Sequence, residues 1–226
     1  MLRVENLTFY YKKYRIYKVE KIKILDNISF ELKNNEFVAL VGESGSGKST
    51  LAKILARLIK IDSKSAKIYL QNRHINDFKP KDFYRICTIL LQDSINSLNP
   101  NLNILQNLSE VSFLLDSIND NLIIEKLEKV QLDKNILFKL PSMISGGEAQ
   151  RVCIAKALLT NAKIFILDEI TSNLDYINQR EIMQIFTQIK KQNTDTSILF
   201  ITHDLDLAKE FCDRILILQN SEIKPN

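Results

Sequence analysis

Glycine is scarce in this sequence: 226 residues contain five. Three fall in LVGESGSGKSTLAKILARL, residues 40–58, and the other two adjoin in ISGGEAQR. Ordinary turns are made instead with Asn, Asp, Ser and Lys. Glycine serves where the backbone needs φ > 0 or must come close to a ligand. Both clusters are therefore expected to be places where no side chain is tolerated. Cysteine is scarce too. Cys87, Cys153 and Cys212 are odd in number, lie in apolar stretches and lack CxxC spacing. They read as free, buried thiols of a reducing compartment, not as a disulfide frame or a thiolate metal site. The opening MLRVENLTFYYKK has no apolar core of a secretory signal. No apolar run approaches the ~18 residues of a membrane-spanning helix, so any work at a membrane requires another molecule to hold the chain there. The net charge of +4 is mild and points to no polyanionic partner. What remains, 45% hydrophobic and 26% charged residues, suits an ordinary globular chain of one large domain, or a core with a subdomain.

Strand-like segments recur at 3–9, 28–32, 37–41, 67–70, 87–91, 163–167, 197–201 and 214–218. FVALV, IFILD and ILFIT are apolar almost throughout, as parallel strands covered on both faces require. Helical faces lie between them: Leu51, Ile54, Leu55, Leu58 and Ile59 share one, and Ile182, Ile185, Phe186 and Ile189 another. This alternation predicts an α/β fold around a parallel sheet. The first two strands are joined by YYKKYRIYKVEKIKILDN, which reads as a long hairpin or antiparallel edge. Its basic residues (Lys12, Lys13, Arg15, Lys18, Lys21, Lys23) read as a solvated loop, with a lipid- or permease-facing role as the alternative. From 93 to 143 the rhythm breaks. LNILQNLSEVSFLLDSI and DNLIIEKLEKVQL predict two helices with no strand between them, a helical insertion within the α/β core.

GESGSGKS fits G-x-x-x-x-G-K-[ST] from Gly42 through Glu43, Ser44, Gly45, Ser46, Gly47 and Lys48 to Ser49, with Thr50 following. It stands directly after an apolar strand and before an amphipathic helix, the context that makes the pattern a phosphate site. Inward-turned backbone N–H groups and the positive end of the helix dipole would hold phosphates. Lys48 would meet the β- and γ-phosphates, and the Ser49 hydroxyl would ligate Mg²⁺. KIFILDE then supplies carboxylates at a strand end: Asp168 as a second Mg²⁺ contact, and Glu169 to activate water. ISGGEAQRVCIAKAL opens a second helix at Ser145, Gly146 and Gly147. That makes a second anion-binding helix start, although one nucleotide does not need two cradles within one subunit.

With these motifs in this order the chain resembles the ATP-binding subunits of ABC transporters, whose signature reads LSGGQ. The resemblance covers essentially the whole length: GESGSGKST, the glutamine loop LLQDSINSLNP with Gln92, ISGGE with Glu148, IFILDE, SNLD with Asp175, and ITHD with His203. It implies a P-loop NTPase (RecA-like) core over residues 1–92 and 144–226, with an antiparallel N-terminal β part. An inserted α-helical subdomain over 93–143 would face the permease and the signature. ATP and Mg²⁺ are the implied cofactors, with Tyr11 stacking on adenine and Tyr10 its nearest rival. Two subunits, copies or paralogues, would dimerise head to tail, each ATP lying between one phosphate loop and the other subunit's signature. Gln92 would touch Mg²⁺, and His203 would hold the γ-phosphate and position the attacking water. The dimer would sit on the cytoplasmic side of the cell membrane, bound to integral permease subunits and indirectly serving a solute-binding protein, with no nucleic-acid partner. His74, in a polar loop, reads as structural.

Ile144 and Glu148 stand where the family's signature commonly has Leu and Gln, and Ile170 and Asn173 where it has Pro and Ala. None removes a group that hydrolysis needs. LQDSINSLNP resembles the glutamine loop of the peptide/nickel importer family, and QRVCIAKAL and FITHDLDLAKEFCDRILIL resemble its nickel-importing branch. A metal cargo, nickel or a metal chelate, is expected ahead of peptides. The alternatives are a peptide-import ATPase, a regulatory or exporter-type ATPase, and a DNA-repair clamp. The clamp needs long coiled coils between glutamine loop and signature, where this chain has about fifty residues. A GTPase lacks support because no N-K-x-D motif follows.

Overall fold

The computed structural model describes residues 1–15, 18–61, 66–93, 95–114, 119–172 and 174–225. Its elements run β1 (Leu2–Arg15), β2 (Lys18–Leu32), β3 (Phe37–Val41), α1 (Lys48–Leu55), β4 (Lys67–Leu70), β5 (Arg73–His74), α2 (Pro80–Tyr84) and β6 (Cys87–Leu90). They continue with α3 (Ile104–Ser109), α4 (Asp120–Lys129), α5 (Gly146–Leu159), β7 (Ile164–Asp168) and α6 (Tyr176–Gln192). The chain closes with β8 (Ser197–Thr202), α7 (Leu205–Phe211), β9 (Arg214–Gln219) and β10 (Glu222–Pro225).

Six strands form one sheet in the order β10-β9-β3-β8-β7-β6, parallel except for β10 against β9. The unbroken apolar runs go to its centre, where every residue of β3, β7 and β8 is buried. Strand period explains why no polar residue interrupts them. Phe165 and Leu167 of β7, with Ile198 and Phe200 of β8, enter the core shared with α5, α6 and the inserted helices. Their neighbours Ile164, Ile166, Leu199 and Ile201 enter the core under α1 and the N-terminal strands. A second, antiparallel sheet has the order β2-β1-β4-β5. The α/β class, the antiparallel N-terminal part and the helical insertion are those the sequence predicts.

Several details differ. The short strands β5 and β10 escape the sequence reading, because two to four residues beside a turn carry too little periodicity. The first predicted helix, 102–118, begins later and is shorter. Asn103 caps it by a reciprocal box with Gln106, α3 ends at Ser109, and a 3-10 turn follows over Glu110–Phe113. Residues 115–118 of that reading lie outside the described residues, as does Asn173. The economy in glycine is made good by asparagine, which tolerates the left-handed region better than most residues. Asn6, Asn27, Asn35, Asn72, Asn161 and Asn220 all have positive φ. His74 is structural, as expected: its Nδ1 accepts from the Asn76 amide at 3.3 Å.

The glycines themselves divide. A Cβ on Gly42 would lie 2.4 Å from the Leu218 carbonyl oxygen, and Gly47 combines φ of 105° with a ceiling of Ile24 and Leu25 about 3.0 Å away. Around Gly146 and Gly147 nothing lies within 4 Å of such an atom. The expectation that both clusters exclude side chains therefore holds for the first and fails for the second within this chain. Gly146 and Gly147 sit in the first turn of α5, where alanine is the better helix former by up to about 1 kcal/mol. Gly147→Ala should thus leave the thermal midpoint unchanged or raise it by a few degrees, whereas Gly42→Ala should lower it. Differential scanning calorimetry of the two variants reads this directly, and a lowered midpoint for Gly147→Ala would contradict it.

Candidate active site

The loop between β3 and α1 folds around the start of that helix because Gly47 takes the left-handed conformation at its N-cap. Lys48 then points back into the loop. The side chain is 3% exposed, and its ammonium donates to the carbonyls of Gly42 at 2.8 Å and Glu43 at 2.9 Å. It also faces a Glu169 carboxylate oxygen at 3.5 Å. The next residue, Ser49, donates its hydroxyl to Asp168 Oδ1 at 2.9 Å. Two successive helix residues therefore meet two successive residues at the end of β7. Glu169 leaves that strand with φ of 50°, its amide bound to the Ile201 carbonyl at 3.0 Å. That left-handed step turns Glu169 out of the buried strand toward Lys48.

Burial and the neighbouring Glu169 charge push the Asp168 carboxyl above its usual range, against the opposing pull of the Ser49 hydroxyl and of Lys53 and Lys48. The loop's Ser46 Oγ is buried without a hydrogen-bond partner. These two features fit the groups implied by the sequence. The unsatisfied hydroxyl, the buried ammonium and the helix start suit a phosphate chain, and hydroxyl plus carboxylate oxygens suit a hard cation such as Mg²⁺. A cleft of about 710 Å³ opens over the loop. Gly42, Glu43, Ser44, Gly45, Ser46 and His203 line one part of it, and Lys23, Ile24 and the 217–221 turn the rest.

The structure does not bring every predicted residue into this cleft. Gln92 is exposed and donates to Ser172 Oγ at 3.1 Å, and Ser172 in turn donates to the Glu169 carbonyl at 2.9 Å. It is thereby tied to the turn after Glu169 and not to the Ser49–Asp168 pair. Thr50 is half-buried on α1. Tyr11 is 43% exposed with its ring edge-on to Phe9, and it does not line the cleft. Asp175 caps α6, accepting from the Asn178 amide at 3.0 Å and its side chain at 2.6 Å, contacts that hold its carboxyl below the usual range. Ser145 and Glu148 close a reciprocal cap on α5: Glu148 accepts from the Ser145 amide at 2.7 Å, and the Ser145 hydroxyl from the Glu148 amide at 3.2 Å. Glutamate in place of the family's glutamine thus makes a charged cap, and the Ser145 contacts hold its carboxyl low. None of 145–148 lines the cleft. Ile170 is buried, and its carbonyl accepts from the Gln150 side chain.

Sequence reasoning missed Ser172 and the β9–β10 turn. The Leu218 carbonyl of that turn's first arm limits residue 42, and the Ser221 carbonyl accepts from the Asp26 amide at 2.8 Å. The polar QNSE between two apolar pieces was the available sign of a turn, but nothing local places it beside the phosphate loop.

Fold and cleft together define a P-loop nucleotide-binding protein. A family profile described as ABC transporter matches residues 25–172. The nickel import ATP-binding protein NikE of Escherichia coli (strain K12) is 38% identical over 209 residues, covering 88% of this chain and 76% of that one. The protein of the same name from Shigella boydii serotype 4 is 38% identical over 205 residues, with the same coverage. Among solved structures, the dimeric post-hydrolysis state of the ATP-binding cassette MJ0796 bound to ADP and Pi aligns with a TM-score of 0.86 at 29% identity, over 100% of this chain and 98% of that one. The cbiO1 protein from Clostridium perfringens, part of the ABC transporter complex cbiONQ, aligns with a TM-score of 0.81 at 26% identity, over 99% and 86%. The chain belongs to the ABC transporter family, as an ATP-binding subunit that hydrolyses ATP.

The Asp168 environment has a measurable consequence. A carboxyl whose folded pKa is raised favours folding while protonated, and that contribution is lost as pH rises from the ordinary carboxylate range through the folded pKa. Asp168→Asn keeps an acceptor for Ser49 without the charge. Without nucleotide or metal, its thermal midpoint should exceed that of the wild type at pH 7, and the difference should shrink in acid. A variant equal to or less stable than wild type at pH 7 would contradict the assignment.

Proposed function

We propose that this chain is the ATP-hydrolysing subunit of an importer, driving uptake of a small solute, nickel or a metal chelate, through a membrane permease. The observation that carries the reading is the division of the two glycine clusters. One shapes the loop over which the cleft opens, and the other opens a helix start outside that cleft, where an added Cβ would meet nothing within 4 Å. A start of that kind is suited to the nucleotide of a second subunit, in a head-to-tail dimer.

In this arrangement the loop amides of residues 42–47 and the Lys48 ammonium bind the β- and γ-phosphates of ATP. Ser49, Asp168 and Gln92 would hold Mg²⁺, which would supply charge neutralisation for the phosphates. Gln92 donates to Ser172 through its Nε2, and its Oε1 is the atom that would face the metal. Glu169 takes a proton from the attacking water, and His203, already at the cleft, positions that water and the γ-phosphate. Lys48 turns from Glu169 to the phosphates, leaving the carboxylate available as a base. Tyr11 supports the adenine. Ser145, Gly146, Gly147 and Glu148 complete the partner's site, donating backbone N–H groups and a hydroxyl to charge that spreads in the transition state. Asp175 lies at that dimer contact.

Residues 93–143 act as the subdomain that docks on the permease, and 1–92 with 144–226 as the nucleotide-binding core. No helix among the described residues is long and apolar enough to cross a membrane. In the proposed complex the permease holds the chain at the cytoplasmic face, and a solute-binding protein delivers the cargo. Among the described residues no group of three His, Cys, Asp or Glu could hold a metal ion. Cargo recognition is therefore assigned to those partners, and the similarity to NikE supports nickel. The peptide-type glutamine loop LQDSINSLNP keeps peptides as the second reading.

Deletion of the gene should lower nickel-dependent enzyme activity, with rescue by excess nickel or by the wild-type gene. Rescue should fail with Glu169→Gln, which should still bind ATP but hydrolyse it ~10²- to 10⁴-fold more slowly. A peptide-uptake defect with normal cell nickel would transfer the chain to the peptide reading. Wild-type turnover in Glu169→Gln would remove the base from Glu169.

A further inference from the structure

The sequence from residue 10 to 23 carries six basic residues and one acidic one, its described parts pair as an antiparallel ribbon, and of the six only Lys23 lines the nucleotide cleft. β4 covers β1 only from Leu2 to Glu5, so beyond Phe9 the described strands β1 and β2 pair with each other alone. Tyr10, Tyr11, Lys12 and Lys13 on one strand and Glu20, Lys21, Ile22 and Lys23 on the other are all exposed. Register sorts them into two faces, because directly opposed residues share a face and neighbours alternate. Tyr11, Lys13, Glu20 and Ile22 form one face, on which Lys13 stands opposite Glu20. Tyr10, Lys12, Lys21 and Lys23 form the other, on which Lys12 stands opposite Lys21.

Like charges directly opposed across a strand pair destabilise it, and a two-stranded ribbon is marginal in water to begin with. Lys23 lines the nucleotide cleft and is tied to Asp26 at 2.6 Å, which leaves the Lys12–Lys21 pair, further out along the ribbon, as the exposed cationic centre of that face. An extended anionic surface would relieve the repulsion by meeting both ammonium groups at once. Tyr10 beside them has the amphipathic ring that settles at the headgroup level of a bilayer. We propose that the ribbon formed by residues 10–13 and 20–23 lays its Tyr10, Lys12 and Lys21 face on the anionic headgroups of a phospholipid bilayer. The choice of a bilayer over another polyanion rests on the permease-bound role proposed above, which keeps the chain beside a membrane.

The test is co-sedimentation of the purified full chain with phosphatidylcholine vesicles, with and without a share of phosphatidylglycerol, at low and high salt. Binding should need the anionic lipid and weaken with salt. Each basic residue near such a surface is worth about fivefold in affinity. Lys12→Glu removes one positive charge and adds a negative one, so it should weaken partition by roughly twentyfold. The same change turns a repulsive cross-strand pair into an attractive one, so its thermal midpoint should not fall, and basal ATP hydrolysis should be unchanged. Lys21→Glu is the reciprocal swap and should behave alike. Equal partition into neutral vesicles, or undiminished binding by both variants, would overturn the proposal. So would vesicle binding that survives in variants that have lost a tighter affinity for single-stranded nucleic acid. The vesicles contain no permease, so failure here would reject the lipid contact and not the transport role.

Discussion

The Lys48 ammonium draws together three pieces of chain that are remote in sequence or direction. A buried charge is costly unless paired and hydrogen-bonded, and this one, on a side chain 3% exposed, has the carbonyls of Gly42 and Glu43 and the carboxylate of Glu169. The loop must therefore curl, α1 must begin beside the end of β7, and Glu169 must leave its strand in the left-handed region. Sheet order serves these demands. β8 lies between β3 and β7, so the loop after one and the acids after the other open at the same edge.

The parallel core was legible because FVALV, IFILD and ILFIT have no polar interruption, and a strand with that property needs cover on both faces. The phosphate loop was legible because spacing, strand and helix coincide within about twenty residues. Long-range placement was not. Nothing in QNSE indicates that the β9–β10 turn forms a wall of the cleft, or that the Leu218 carbonyl forbids a side chain at residue 42. Gln92 was read as a metal contact, and its tie to Ser172 depends on a turn eighty residues away. Tyr11 is named by the family resemblance, and its ring lies edge-on to its near neighbour Phe9.

The second glycine pair is the more instructive case. A glycine can be required by its own φ, by neighbours in its own chain, or by something outside the chain. Gly146 and Gly147 have neither of the first two reasons. Their helix start is well capped by Ser145 and Glu148, so the segment is ordered without being crowded. Conformational stability alone would favour alanine there, and the dimer proposed above is what would ask for glycine. The proposed head-to-tail dimer gives that helix start a role, as the part of each site supplied by the second subunit.

ATP hydrolysis by mixed dimers tests that claim most directly. A subunit carrying Lys48→Ala lacks the cradle and keeps the helix start; one carrying Ser145→Arg lacks the helix start and keeps the cradle. Each variant alone should hydrolyse little ATP. In a verified mixed dimer one intact cradle faces one intact start, and activity should return toward half the wild-type value. If verified mixed dimers stay as inactive as either parent, while Ser145→Arg alone has already lost ATP binding, the signature acts within its own chain and the account is contradicted.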